Sequence, residues 1–206
     1  MPTKVLNKPG KLTDQEFAII KSHPLEGHRI LLAAGNVDPL VLDVCLHHHE
    51  KTDGSGYPDR LTNEQISLFA KMGAVCDVYD AITSNRPYKS GWDPSESLRK
   101  MAEWANGHFD KQVFQAFVRS LGIYPIGSLV RLASGRIAIV IEQTGKSLTS
   151  PWVKVFYSTR SGLRITPEII DLSARGITDK IASREDPAQW NFPDLNELWS
   201  DGASNL

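Results

Sequence analysis

The sequence predicts a mainly α-helical domain over residues 1–122, a small antiparallel β module over residues 126–172 and a C-terminal tail over residues 173–206. Three observations lead there. Apolar residues recur every three or four positions as far as Leu121, between residues that cap helices. Beyond Tyr124-Pro125 the texture changes to alternation of apolar and polar residues around Ser-Gly pairs, which is the signature of hairpins. A chain of 206 residues, 41% hydrophobic and 23% charged, also has enough apolar material for a core of ordinary size.

The elements follow in order, about five or six of them helices. Thr13-Asp14-Gln15-Glu16 is a capping box, with Thr13 as N-cap and Glu16 reaching back to it. Its helix runs to about Ser22, because Pro24 disfavours helical geometry just before itself. A second helix starts near Pro24 and stops at Gly35. A third starts at Asp38-Pro39, carries Val41, Val44, Cys45 and His48 on one stripe, and ends by Gly54. Leu68, Met72, Val75, Cys76, Tyr79 and Ile82 recur at helical spacing and predict a long helix over about 66–84. Asp93-Pro94 opens another, ending by Gly107. Asp110 caps the last, with Val113, Phe114, Phe117, Val118 and Leu121 inward and Gly122 closing it. In the β module, "SLVRLASGRIAIVIEQ" turns at Ser134-Gly135 and "PWVKVFYSTRSGLRIT" at Ser161-Gly162. The Trp- and Pro-containing segment beyond Asp186 reads as a docked tail.

The charge balance, 23 basic against 24 acidic residues for a net charge of −1, leaves no excess to neutralise a phosphate backbone, so nucleic acid is not an expected partner. No apolar run is long enough to span a bilayer, and the N-terminus has no signal-peptide pattern. Cys45 and Cys76, each within an apolar helical pattern, read as buried thiols of a reducing compartment. A cytoplasmic location is expected.

The most unusual stretch is "HHHEKTDGSGYP", residues 47–58. Five of the six histidines lie between positions 23 and 49. On a helix His48 and His49 point roughly 100° apart, so they are not expected to face one ligand atom together; they could reach two neighbouring metal ions, or one ion and a substrate. The plain alternative is a solvated or hydrogen-bonded pair. His23 stands before a helix-opening proline, at a junction where side chains often face a cleft. Asp77 and Asp80 are three apart on the 66–84 helix. Asp77 follows Val75-Cys76 in an apolar pattern, where an unpaired carboxylate is costly, and that favours a cation nearby. Imidazoles with carboxylates suit a divalent first-row metal such as Fe, Mn, Ni or Zn. Gly54, Gly56 and Pro58 are, at the least, turn residues.

"HHEKTDGSGYP" resembles the signature of the HD-GYP domains, bacterial metal-dependent phosphodiesterases of the HD superfamily. "LNKPGKLTDQEFAIIKSHPLEGHRIL" is similar to the segment that precedes that signature and "DVYDAITSNRPYK" to the one that follows it. The resemblance covers about residues 2–120. It implies an HD-type helical fold with two or three divalent metal ions, iron or manganese, and hydrolysis of the second messenger cyclic di-GMP to pGpG or GMP. It matches His23, His48, His49 and Asp77 to metal-ligand positions, and Asp77 and Lys89 to catalytic ones. Arg86 and Lys89 match residues that grip substrate phosphates, Arg86 as a planar fork and Lys89 as a point charge. Gly54, Gly56, Tyr57 and Pro58 match the loop beside the nucleotide. His47 is expected outside the site, and His28 and His108 to be structural or exposed.

One departure bears on activity. The family carries a His-Asp pair upstream of "LNKPGKLT", whose aspartate bridges two metals. This chain has no His-Asp dipeptide and no histidine before His23. An incomplete metal set and impaired hydrolysis are therefore expected, with a catalytically inactive nucleotide- or partner-binding member as the alternative. Missing upstream helices would leave apolar surface exposed, favouring a homodimer or a protein partner. The β module is weakly similar to an extension of some family members and reads equally well as an interaction surface or a stabilising appendage.

Overall fold

The structure is a computed structural model and describes residues 3–8, 10–85 and 91–200. It divides into two compact units, Met1–Phe117 and Val118–Leu206.

Ahead of the sheet the helical elements are α1 (Thr3–Leu6), α2 (Asp14–Lys21), α3 (His23–Ala34), α4 (Pro39–His47), α5 (Leu68–Thr83), α6 (Pro94–His108) and α7 (Lys111–Leu121), and a short α8 (Leu195–Ser200) follows it in the tail. Their starts follow the capping chemistry. Thr13 and Glu16 form both bonds of the capping box on α2. The carboxylates of Asp38 and Asp93 accept from Leu40 N–H and from Ser95 and Glu96 N–H, each ahead of a proline in the first turn. Gly35 and Gly122 end α3 and α7 with φ of 68° and 71°, a region open to glycine. Gly107, at φ 83°, interrupts α6 near its end. The one-turn α1 was not foreseen, since four residues carry no periodicity.

Glycines bring the helices together. A Cβ on Gly27 of α3 would lie 2.9 Å from Cys45 Sγ on α4, and one on Gly73 of α5 would lie 3.0 Å from Val44 Cγ1 on α4. The end of α4 is thereby held between two close helix approaches. This also sets which face of α5 packs. Of its helically spaced apolar residues, Leu68 and Met72 are 59% and 48% exposed, while Val75 is buried together with Ala70 and Ala74. Small residues at 70, 73 and 74 share one face and permit the close approach. Cys76 lies on the opposite stripe with Phe69 and Met72 and is exposed, and Cys45 is half-buried. The expectation of two buried thiols is corrected accordingly. Phe17, Ile30, Leu32 and Val41 are further exposed apolar side chains. Among the described residues no helix is long and apolar enough to cross a membrane.

Glu16 supplies a pH test of the first cap. The Lys8 ammonium, 2.7 Å away, and the Thr13 N–H hold its carboxyl down at about 2. The folded form thus favours the carboxylate. The stabilisation is complete above the ordinary value of 4.5 and is lost as pH falls toward about 2. A carboxyl ¹³C titration is expected to give a Glu16 midpoint near the lower value, and one near 4.5 would refute the Lys8 contact.

The second unit is an antiparallel sheet in the order β4-β3-β2-β1-β5, formed by β1 (Leu129–Leu132), β2 (Arg136–Thr144), β3 (Ser147–Ser158), β4 (Leu163–Asp171) and β5 (Ile181–Arg184). The β1–β2 and β3–β4 turns fall at the two expected Ser-Gly pairs, with Gly135 and Gly162 at positive φ. The fifth strand lies beyond residue 172, in the stretch read as tail. It pairs with β1, and Ala133 N–H donates to Lys180 C=O at 2.8 Å. β2 does not alternate. Ile137, Ala138, Ile139 and Val140 are all at most 1% exposed, because both sheet faces are covered. Val130, Leu132, Ala138, Val140, Val153 and Val155 fill one face. Leu129, Ile137, Ile139 and Phe156 meet Trp190, Phe192, Leu195 and Leu198 of the tail on the other.

Candidate metal centre

Three imidazoles converge where α3 begins and α4 ends. α4 stops at His47, so His48 is its C-cap and His49 lies outside the helix. The 100° separation of helical neighbours therefore does not apply, and the rings of His48 and His49 stand 4.4 Å apart, centre to centre. His23, in the first turn of α3, joins them. One ring nitrogen from each of the three lies within 4.8 Å of the other two.

The hydrogen bonds assign the ring protons. His23 Nδ1 is 2.8 Å from Ile20 C=O, and His48 Nδ1 is 3.0 and 2.9 Å from the carbonyls of Val44 and Cys45. A carbonyl only accepts, so both Nδ1 atoms carry hydrogen. In the neutral rings both Nε2 atoms then hold lone pairs, and these face each other at 3.1 Å. A shared proton or a cation relieves that opposition. Backbone-fixed tautomers with the other nitrogen free are the usual preparation of metal-ligating histidines. Two metal–nitrogen bonds of about 2.1 Å at right angles would put their nitrogens about 3 Å apart, so the spacing fits one ion. Burial, followed by the neighbouring His48 and His23 charges, pushes His49 down to about 3, so it is neutral and able to ligate at neutral pH. The donor set fits a divalent first-row cation.

Asp77, on α5, brings its carboxylate to 3.8 Å from His49 Nδ1 and remains partly exposed. Asp80, three residues on, is occupied by the Ser84 hydroxyl at 2.9 Å. The Tyr57 ring stacks on His49 with centroids 4.7 Å apart, and Tyr57 N–H donates to His49 C=O at 3.2 Å. Burial and the Asp77 charge push the Tyr57 phenol up to about 12. The Lys21 ammonium sits 5.3 Å above the same ring.

The loop glycines have reasons internal to the loop. Gly54 has φ 74°. A Cβ on Gly56 would come within 2.4 Å of Lys51 N and 2.5 Å of Glu50 Cα, so only glycine lets the loop return onto its own start. Pro58 follows Tyr57 through a cis peptide bond. His47 stands apart from the cluster, held at Nδ1 by Asp43 (2.7 Å) and at Nε2 by Asp59 (3.1 Å). His28 is half-buried on α3, and His108 stacks on Phe109 at 4.3 Å. Arg86 and Lys89 lie outside the described residues. Glu50 was given no role by the sequence reading, yet it is 2% exposed. Its signal was an acid between a helix end and a glycine-rich loop.

The HD domain family matches residues 1–113. A cyclic di-GMP phosphodiesterase of Pseudomonas aeruginosa is 58% identical over 200 residues, which is 97% of this chain and 48% of that protein. The cyclic di-GMP phosphodiesterase response regulator RpfG of Xanthomonas campestris is 42% identical over 58% of this chain and 32% of its own length. A 3'3'-cGAMP-specific phosphodiesterase of Vibrio cholerae is 34% identical over 56% of this chain and 22% of its own length. The chain thus spans about half the length of the first relative and less of the others. The Pseudomonas match takes in both units, while the other two match little more than the length of the helical one. Since the histidine corner is built within the stretch that the family match covers, the chain belongs to the HD domain family, and within it to the HD-GYP branch.

Proposed function

We propose that this chain is part of a metal-dependent phosphodiesterase that hydrolyses cyclic di-GMP to pGpG or GMP in bacterial signalling. The observation that carries the reading is the facing pair of lone pairs on His23 and His48, with His49 and Asp77 beside it. His23, His48, His49 and Asp77 would hold a divalent ion, iron or manganese. When bound, such an ion acts as a Lewis acid toward water and the phosphoryl oxygens. The chain's own residues do the rest. The backbone carbonyls of Ile20, Val44 and Cys45 keep two imidazoles in the ligating tautomer. Tyr57 covers one side of His49. Arg86 and Lys89 would grip the phosphates, Arg86 as a fork and Lys89 as a point charge.

A second reading is a member that binds nucleotide, or a partner protein or second copy through its exposed apolar side chains, without turnover. The exposed side chains of Phe17, Ile30, Leu32 and Val41 favour it. Elemental analysis and hydrolysis assays on chain loaded with Mn²⁺ or Fe²⁺ separate the two. The expected result is fewer than two ions per chain, measurable cyclic di-GMP binding, and hydrolysis that is weak and lost in Asp77→Ala. Two or three ions with fast turnover would remove the impairment. Binding of neither metal nor nucleotide would defeat both readings. Running 3'3'-cGAMP alongside cyclic di-GMP decides between the two substrates named among the relatives.

A further inference from the structure

The two residues that flank His48 and His49 in sequence point away from the histidine cluster, and both hold the same loop. Glu50 is 2% exposed. One of its carboxylate oxygens accepts from Asp59 N–H at 2.7 Å and Arg60 N–H at 3.0 Å, and the other accepts from Leu61 N–H at 3.0 Å. A buried carboxylate is costly unless its oxygens are satisfied, and here three consecutive backbone donors satisfy them. Arg60 sits at φ 57°, a region that non-glycine residues seldom adopt, and its own N–H is one of the three. His47 grips the side chain of Asp59 at 3.1 Å and that of Asp43 at 2.7 Å, while Asp43 also takes the hydroxyl of Ser67, the N-cap of α5.

Between these anchors runs the segment that carries Tyr57 to its stack on His49. Its outgoing limb is tied down separately, with Thr52 and Asp53 N–H donating to the carbonyls of His108 and Gly107 at 3.3 and 3.0 Å. Its returning limb has Glu50.

We infer that Glu50 is a positioning residue, a latch reinforced by His47, that fixes the Asp53–Leu61 loop and with it the Tyr57 wall of the site. The latch sets affinity for the nucleotide and leaves affinity for the metal unchanged, because none of its contacts reaches His23, His48 or the ring of His49. This rests on the proposed function for the identity of the nucleotide. In the run His47-His48-His49-Glu50 the inner pair faces the site and the outer pair builds its wall.

The test is Glu50→Gln in the full chain. Glutamine keeps the size but turns an amide group toward at least one backbone N–H. Amide exchange at Asp59, Arg60 and Leu61 is expected to speed up by about tenfold or more, and the Kd for cyclic di-GMP to rise by a similar factor. The Kd for Co²⁺, read from its visible absorption, should stay within about twofold, less than loss of one weak hydrogen bond would give. Unchanged exchange would overturn the latch, as would metal and nucleotide affinities falling together. If wild-type chain binds no cyclic di-GMP, the functional reading fails instead, and the exchange and Co²⁺ measurements decide the latch by themselves. Should Glu50→Gln not fold, Asp59→Ala removes only His47's grip on a half-exposed carboxylate. It should accelerate the same amides and weaken nucleotide binding about threefold, roughly the value of one hydrogen bond. No change in either would overturn the proposal.

Discussion

Replacing His48 with alanine should lower the affinity of the chain for Co²⁺ by at least about a hundredfold, since altering a mere supporting partner of a ligand already costs ten- to a hundredfold. The structural case is specific. His48 Nδ1 is committed to two backbone carbonyls, and its Nε2 faces that of His23 at 3.1 Å, so the lone pair that would meet an ion belongs to an oriented ring. Alanine removes that lone pair together with the Nδ1 donor to Val44 and Cys45 C=O, but keeps the backbone bond from His48 N–H to Val44 C=O that ends the helix. A visible-absorption titration reads the change. His28→Ala, outside the cluster, should bind Co²⁺ as the parent does. Equal affinity in His48→Ala and the parent would remove His48 from the centre and the proposed function with it.

Phe156→Ala should lower the opening free energy of the central strands of the second unit by about 3–5 kcal/mol. Phe156 is 1% exposed, among the largest side chains wholly enclosed, and touches both halves of the outer core. It lies against Leu129, Ile137 and Ile139 within the sheet, and edge-on to Phe192 of the tail at 5.0 Å. Truncation leaves a cavity walled by sheet on one side and tail on the other, which cannot collapse without moving one of them. Native-state amide exchange at β2 and β3 measures the loss. A cost below about 1 kcal/mol, the level of a surface substitution, would mean that the tail does not cover this face in solution.

Parts of this were open to reading because they are local. The capping box at Thr13–Glu16 and the Asp-Pro openings of α4 and α6 set helix starts through contacts between residues two or three apart, and all three stand as read. Ser134-Gly135 and Ser161-Gly162 made turns for the same reason. The packed face of α5 was not legible, because periodicity marks an apolar stripe, whereas α5 is approached at Gly73, where a side chain would obstruct α4. The strand at 181–184 was missed because four residues hold no pattern until β1 offers them a partner.

By itself, then, the sequence determined the order of helices and hairpins, the family, and which side chains have the donor chemistry for a metal, since those depend on neighbours in the chain and on residue type. Only the tertiary structure decided how these side chains meet. Helix α4 ends at His47, two residues before the helix would have to run to split the pair, so His48 and His49 close on His23. The buried carboxylate of Glu50 found three backbone donors nine to eleven residues away. The physical reason is common to both. A hydrogen bond or lone pair has a direction in space, and that direction is set by where the chain returns, which no local pattern encodes.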